Sequence, residues 1–116
     1  MSLLSDQRRD YSRYHTDRMN LLIHIVAVPV FELSCVGFIG AMAARAPVYA
    51  AASVALALAA FAAQGGGHAR EPNAAIPFTG AGNTAGRIFA EQFITFPRFV
   101  LGGGWLRAYR AAAHHD

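Results

Sequence analysis

The sequence predicts an all-α membrane helical hairpin with two spans, a polar N-terminal arm and an interfacial or re-entrant C-terminal helix. Three observations predict it. Two apolar runs of equal length flank a short break at Arg45-Ala46-Pro47, and the arginines bracket those runs instead of populating them. The 116-residue chain is also 54% hydrophobic with only 15% charged residues, where a soluble domain usually carries about 25%. A chain this short forms one domain, 1–116, because two independent cores would each be too small.

Residues 1–18 read as a polar, arginine-bearing arm whose Tyr11 and Tyr14 suit a membrane interface. Asp6, Asp10 and Asp17 in this arm, and the lack of a short apolar core, argue against a secretory signal. Leu21 to Ala44 runs 24 residues with one formal charge, Glu32, and Ala46 to Ala69 runs another 24 with none. About 20 apolar residues cross the hydrocarbon layer as a helix, so spans are expected at about 21–44 and 46–69. Pro29 is a candidate kink in the first span. The second, alanine-rich from Val48 to Phe61, should be a close-packing surface that invites self-association, hence a homo-oligomer.

All ten basic residues are arginine and the formal charge is +3. They form no stripe with interleaved aromatics, so the charge fits the headgroups of a lipid bilayer, and no nucleic acid is expected. Arg8, Arg9, Arg13 and Arg18 precede the first run, Arg70, Arg87, Arg98, Arg107 and Arg110 follow the second, and only Arg45 lies between. The positive-inside rule then places both termini in the cytoplasm. Cys35, the single cysteine, excludes a disulfide framework and reads as a small buried hydrophobe.

Residues 72–86 read as a loop, marked by Pro72, Asn73, Pro77 and the glycines at 80, 82 and 86; that glycine spacing follows no strand and is no nucleotide fingerprint. Beyond it Ile88, Phe89, Phe93, Phe96 and Phe99 recur at helical spacing, interrupted by Pro97 and by Gly102 to Gly104. A third span would carry Arg107 and Arg110 outside, so an interfacial segment over about 87–110 is expected, with Trp105 and Tyr109 near the headgroups.

Chemistry centres on histidine. His24 lies 22 residues before Ala46 and His68 lies 22 after it, so an antiparallel hairpin sets both imidazoles at one depth. His15, nine residues before His24, would point the opposite way on a continuous helix. The three converge only if the chain breaks near residue 16, and Thr16 or Asp17 can cap a helix starting at Arg18. Asn20 shares a face with His24; Gln64, His68 and Glu71 share one if their helix continues, although Gly65 to Gly67 predict unwinding there. Any one histidine alone reads as a hydrogen-bonded interfacial residue. The set, with Asn20, Gln64 and Glu71 close by, points to a metal, because ionisable groups in a membrane are costly and usually functional. Glu32, about 80° round the helix and about 12 Å deeper than His24, reads as a bonded acid of the bundle first and a substrate contact second. His114 and His115 read as a tail without a role.

His15-x4-Asn20-x3-His24-x4-Pro29 followed by Gln64-Gly-Gly-Gly-His68-x-x-Glu71-Pro72 resembles the small Mpo-type fatty acid α-dioxygenase family of integral membrane proteins. The tail, Ile76-Pro77-Phe78 and Arg87-Ile88-Phe89 into Glu91-Gln92-Phe93 and Phe96-Pro97-Arg98-Phe99, looks like a bacterial branch of it, so the resemblance covers roughly residues 11–110. The resemblance implies a bacterial inner-membrane enzyme that uses Fe(II) and dioxygen to remove the carboxyl carbon of a fatty acid or 2-hydroxy fatty acid. It maps the metal ligands onto His15, His24 and His68, with Asn20, Gln64 and Glu71 as accompanying positions at the catalytic site. On that reading Arg18 or Arg70 holds the substrate carboxylate, and Glu71 or Asn20 orients a bound imidazole through its other ring nitrogen. The competing readings are a non-catalytic membrane module binding a metal or haem, and a lipid-sensing hairpin whose histidines only titrate.

Overall fold

The computed structural model describes residues 2–113; His114 and His115 lie outside the described residues. The described chain is all-helical: α1 (Leu3–Asp10), a 3-10 turn (Tyr11–Tyr14), α2 (Arg18–Ala43), α3 (Pro47–His68), α4 (Ala81–Ala90), a π-helical turn (Glu91–Thr95), α5 (Phe96–Leu101) and α6 (Gly104–Ala113).

The hairpin forms as its sequence pattern predicts. α2 and α3, of 26 and 22 residues, measure about 39 and 33 Å at helical rise, and both are long and apolar enough to cross a membrane. Apolar side chains point outward along their length: Val26, Leu33, Val36 and Ile39 on α2, and Val48, Leu56 and Leu58 on α3, are each more than half exposed. A helix apolar on every face lacks the polar side that water requires. Pro29 is accommodated inside a continuous α2.

The connection is a tight helical stop. Ala46 N–H donates to Ala41 O at 2.8 Å and Arg45 N–H to Met42 O at 3.2 Å, the paired bonds of a Schellman ending. Arg45 takes the left-handed position, with φ 55°, and Pro47 opens α3, where its missing N–H costs nothing.

Part of the small-residue surface of α3 serves the hairpin itself. Ala50 and Ala60 are buried, Ala57 packs on the Ala27–Phe31–Ala60 cluster, and a Cβ at Gly37 would lie 3.2 Å from Ser53 Oγ. That side is covered by α2, while Ala51, Ala52, Ala55 and Ala59 are exposed. Cys35 joins the same cluster as a partly buried apolar group.

Three segments depart from the sequence reading. The N-terminal arm is helical, with Ser2 capping α1. Gly65 to Gly67 do not unwind α3, which continues to His68; the triad lets two helices approach, because a Cβ at Gly67 would strike the side-chain oxygen of Asn20. The loop ends at Gly80 instead of residue 86, so Gly82 and Gly86 lie inside α4, and the C-terminal segment is helical from 81 to 101 before α6 turns off at Gly102 and Gly103. These glycines cost helix stability; a Cβ at Gly86 would meet Leu3 at 3.6 Å, an ordinary contact distance, and one at Gly82 would meet nothing within 4 Å.

The π turn has a local cause. Pro97 has no N–H for the carbonyl one turn earlier and its ring would press on it. The chain widens just upstream, and Phe96 N–H reaches back to Glu91 O.

Gly67 and Gly66 make a matched test of the close approach. Gly66→Ala, whose Cβ meets nothing within 4 Å, should raise stability by about 0.5–1 kcal/mol through helix propensity. Gly67→Ala should lower it by about 1–3 kcal/mol through overpacking against Asn20. Thermal midpoints in detergent moving in the same direction for both would contradict this account.

Candidate metal centre

The arm and the C-terminal helices gather over the end of the hairpin that carries His24 and His68. His15 leaves the 3-10 turn at φ −134°, ψ 65°, the break that sequence reasoning demanded near residue 16. Asp17 caps α2, accepting from Asn20 N–H at 2.9 Å.

The three imidazoles form an equilateral triangle. Ring centroids of His15, His24 and His68 are 4.8 Å apart in every pair, at interplanar angles of 88°, 79° and 88°. His15 is 2% exposed and His24 is fully buried. Rings set edge to face at this spacing converge on one point.

Their protonation follows from their partners. His15 Nδ1 lies 2.8 Å from Tyr11 O and His24 Nδ1 3.0 Å from Asn20 O. A carbonyl oxygen only accepts, so each Nδ1 carries a hydrogen and Nε2 is the nitrogen left to meet a ligand. Both Nε2 atoms, and Nδ1 of His68, are buried with no hydrogen-bond partner. Three buried imidazole nitrogens without hydrogen-bond partners, on rings this close together, are costly unless an ion satisfies them.

A fourth candidate ligand comes from the π turn. One ligand atom from each of His15, His24, His68 and Glu91 lies within 4.8 Å of every other, so the group can hold a metal ion. Glu91 Oε2 is 3.6 Å from His15 Nε2. Burial alone would raise the Glu91 carboxyl, but its contact with His15 and the field of all three imidazoles outweigh that and hold it down at about 2. It is therefore ionised and able to ligate. Burial first, and then the Glu91 carboxylate, push the Tyr11 hydroxyl well above the ordinary phenol value, so Tyr11 stays neutral. Its ring stacks on His15 with centroids 3.8 Å apart at 12°, and Phe96 lies 5.8 Å from the His24 ring, walling the imidazoles in apolar surface.

Sequence reasoning missed Glu91 as a ligand. The available signal was an acid between Phe89 and Phe93 in an aromatic helical segment, but it lies 23 residues beyond His68 and across a loop. The π turn brings Glu91 to the histidines and buries Gln92 completely. Gln92 and Gln64 then exchange two bonds, Nε2 to Oε1 at 2.9 and 2.7 Å, clasping the turn to α3. Gln64 thus holds the site together and also lines the cavity beside it.

The roles expected for Glu71 and Asn20 need correction. Among the described residues, the side-chain hydrogen bonds of Glu71 go to groups other than the imidazoles. Its buried carboxylate accepts from Thr16 N–H at 2.8 and 3.0 Å, Thr16 Oγ1 at 2.9 Å, Asp17 N–H at 3.0 Å and Asn20 Nδ2 at 2.6 Å. It is a clamp on the break that delivers His15, because backbone N–H groups left open by the kink need an acceptor. Asn20 does orient His24, through its main-chain carbonyl and not its side chain. Carbonyls of Tyr11 and Asn20 do the positioning that a carboxylate often does at metal sites.

Arg18 and Arg70 are both directed away from the centre. Arg18 Nε donates to Tyr109 Oη at 3.0 Å with its guanidinium over that ring, and Arg70 Nε donates to Asp17 at 2.9 Å. Neither lines the cavity of about 680 Å³ that reaches His15, His68 and Glu91; the arginine that does is Arg87. Arg87 donates to Pro77 O at 3.1 Å and lies over the Phe78 ring. Tyr14, Phe61, Ile76 and Ile88 make the cavity largely apolar. Glu32 is partly buried on α2 and lines neither cavity.

Comparison with known protein families, curated proteins and solved structures finds no match to this chain.

Proposed function

We propose that this chain is a membrane-embedded, non-haem Fe(II) dioxygenase that removes the carboxyl carbon of a fatty acid or 2-hydroxy fatty acid. The observation that carries the reading is the convergence of three buried, unpaired imidazole nitrogens with the ionised Glu91. Imidazole and carboxylate donors suit iron, which in octahedral coordination leaves positions beyond these four ligands for substrate and dioxygen. When bound there, Fe(II) supplies the electrons that let dioxygen react.

The surrounding residues support a carboxylate-bearing lipid. Arg87 sets a guanidinium on the cavity wall, the fixed cation a carboxylate seeks. Phe61, Ile76 and Phe78 offer apolar surface to an acyl chain. For a 2-hydroxy acid the overall chemistry closes without an external reductant: one 2-hydroxy acid and one dioxygen give one acid a carbon shorter, one carbon dioxide and one water. Both long helices lie in the bilayer on this reading, and the arginine distribution directs both termini to the cytoplasm.

A second reading has an observation in its favour. Four protein ligands close a tetrahedral site, as in structural zinc centres. The cavity reaching three of the four ligands favours the open, catalytic form. Rings only 4.8 Å apart leave no gap for a haem plane between them.

Detergent-purified protein should carry about one iron per chain and no Soret band. Loaded with Fe(II) without oxygen, given 2-hydroxyhexadecanoic acid and then air, it should yield pentadecanoic acid by mass spectrometry. Stoichiometric zinc with no product would leave the metal centre standing and defeat the dioxygenase.

A further inference from the structure

A second cavity, of about 760 Å³, opens between α1, the first turn of α2 and α6, and shares no lining residue with the metal cavity. α1 divides the two. Asp6 and Asp10 face the metal cavity while Arg8, about 200° from Asp6 around the helix, faces the other. Three arginines from three helices line this second cavity: Arg8, Arg18 and Arg107. Its space exists because α6 turns Gly104, Ala108 and Ala111 toward it, where longer side chains would fill it. The one acid in the wall among the described residues, Asp17, is already bonded to Arg70 and to the Asn20 N–H.

The geometry points to a site for a phosphate group of net negative charge, supplied by the headgroup of an anionic phospholipid. Guanidinium groups bind phosphate oxygens in pairs, and arginines from three helices lining one pocket bring positive charge to it, with Arg107 Nη1 donating to Gly102 O at 3.4 Å. Arg18 is held in place by its bond to Tyr109 and its position over that ring, so little ordering is needed on binding. Trp105 stacks on Tyr109 with centroids 5.1 Å apart, and its indole donates to Leu21 O at 2.9 Å. This aromatic pair belongs at headgroup depth and lies beside the arginines that would meet the phosphate. The inference is independent of the metal reading.

The test uses the full chain in an uncharged detergent, with dihexanoylphosphatidylglycerol, dihexanoylphosphatidylcholine and inorganic phosphate as probes. Binding is read by calorimetry and by the fluorescence of Trp105, the single tryptophan. The phosphatidylglycerol should bind at least about tenfold more tightly than the phosphatidylcholine. The double variant Arg8→Gln/Arg107→Gln should weaken it at least about tenfold, with metal content unchanged. Arg110→Gln removes the same charge from α6 outside the pocket and should bind as wild type. Inorganic phosphate binding as tightly as the lipid would keep the phosphate site and assign it to a soluble source. Equal binding of the two lipids, or equal loss in Arg110→Gln and the double variant, would overturn the proposal.

Discussion

His24→Ala is expected to abolish stoichiometric metal binding. His24 is fully buried, its Nδ1 hydrogen is committed to Asn20 O, and its Nε2 has no hydrogen-bond partner. Losing a residue that merely orients a ligand typically weakens metal binding 10–100-fold, so losing the ligand itself should exceed about a hundredfold. The effect is readable without an activity assay. A ligand that binds only the folded state adds about 4 kcal/mol of stability at a thousand times its dissociation constant, so a chelator should lower the thermal midpoint of the wild type. The His24→Ala midpoint should not respond to chelator. A variant that retains one metal per chain and full chelator sensitivity would show that the triangle is ordinary packing.

Glu71→Ala should have the next largest effect, on two measurements together. It strands the N–H groups of Thr16 and Asp17 and the Asn20 amide, all bonded to one carboxylate. Each unsatisfied group costs about 1–3 kcal/mol where water cannot replace the acceptor. Thr16 is exposed and Asn20 fully buried, so a total of about 3–5 kcal/mol is expected, toward the lower figure if water reaches the kink. The same change frees the break that positions His15, and metal affinity should fall about 10–100-fold although no ligand is removed. Glu71→Gln keeps one accepting oxygen and should fall between alanine and wild type on both counts. Destabilisation with wild-type metal affinity would mean that His15 is positioned by its stacking on Tyr11 alone.

The contrast between these residues shows where sequence reasoning succeeded. His24 and His68 were legible as a pair because two helices joined by a tight stop have one register, and counting from Ala46 fixes depth. His15 was legible as a condition: its spacing from His24 required a chain break, and Asp17 supplied the capping residue. Glu71 was legible as a site residue but with the wrong role, since spacing says that a carboxylate is near and not which donors compete for it. Main-chain N–H groups at a kink prevailed because they had no helical partner. Arg87 and Glu91 were read only as positions in a motif and a helical segment, while Arg18 and Arg70, at the ends of the spans, were given the carboxylate role although the cavity is lined by Arg87 and by neither of them.

Local pattern by itself determined the hairpin: run length, the Arg45–Pro47 stop and the bracketing arginines specify two long helices and their shared end. The physical reason is that helix length and hairpin register depend on neighbours along the chain. Tertiary structure alone decided the fourth ligand, the Gln64–Gln92 clasp and the course of Glu71, because each depends on how the chain returns after residue 72. That return is set by contacts between distant segments, among them Leu3 against Gly86 and Thr95 Oγ1 on Gln7 at 2.6 Å. No periodicity within either segment encodes them.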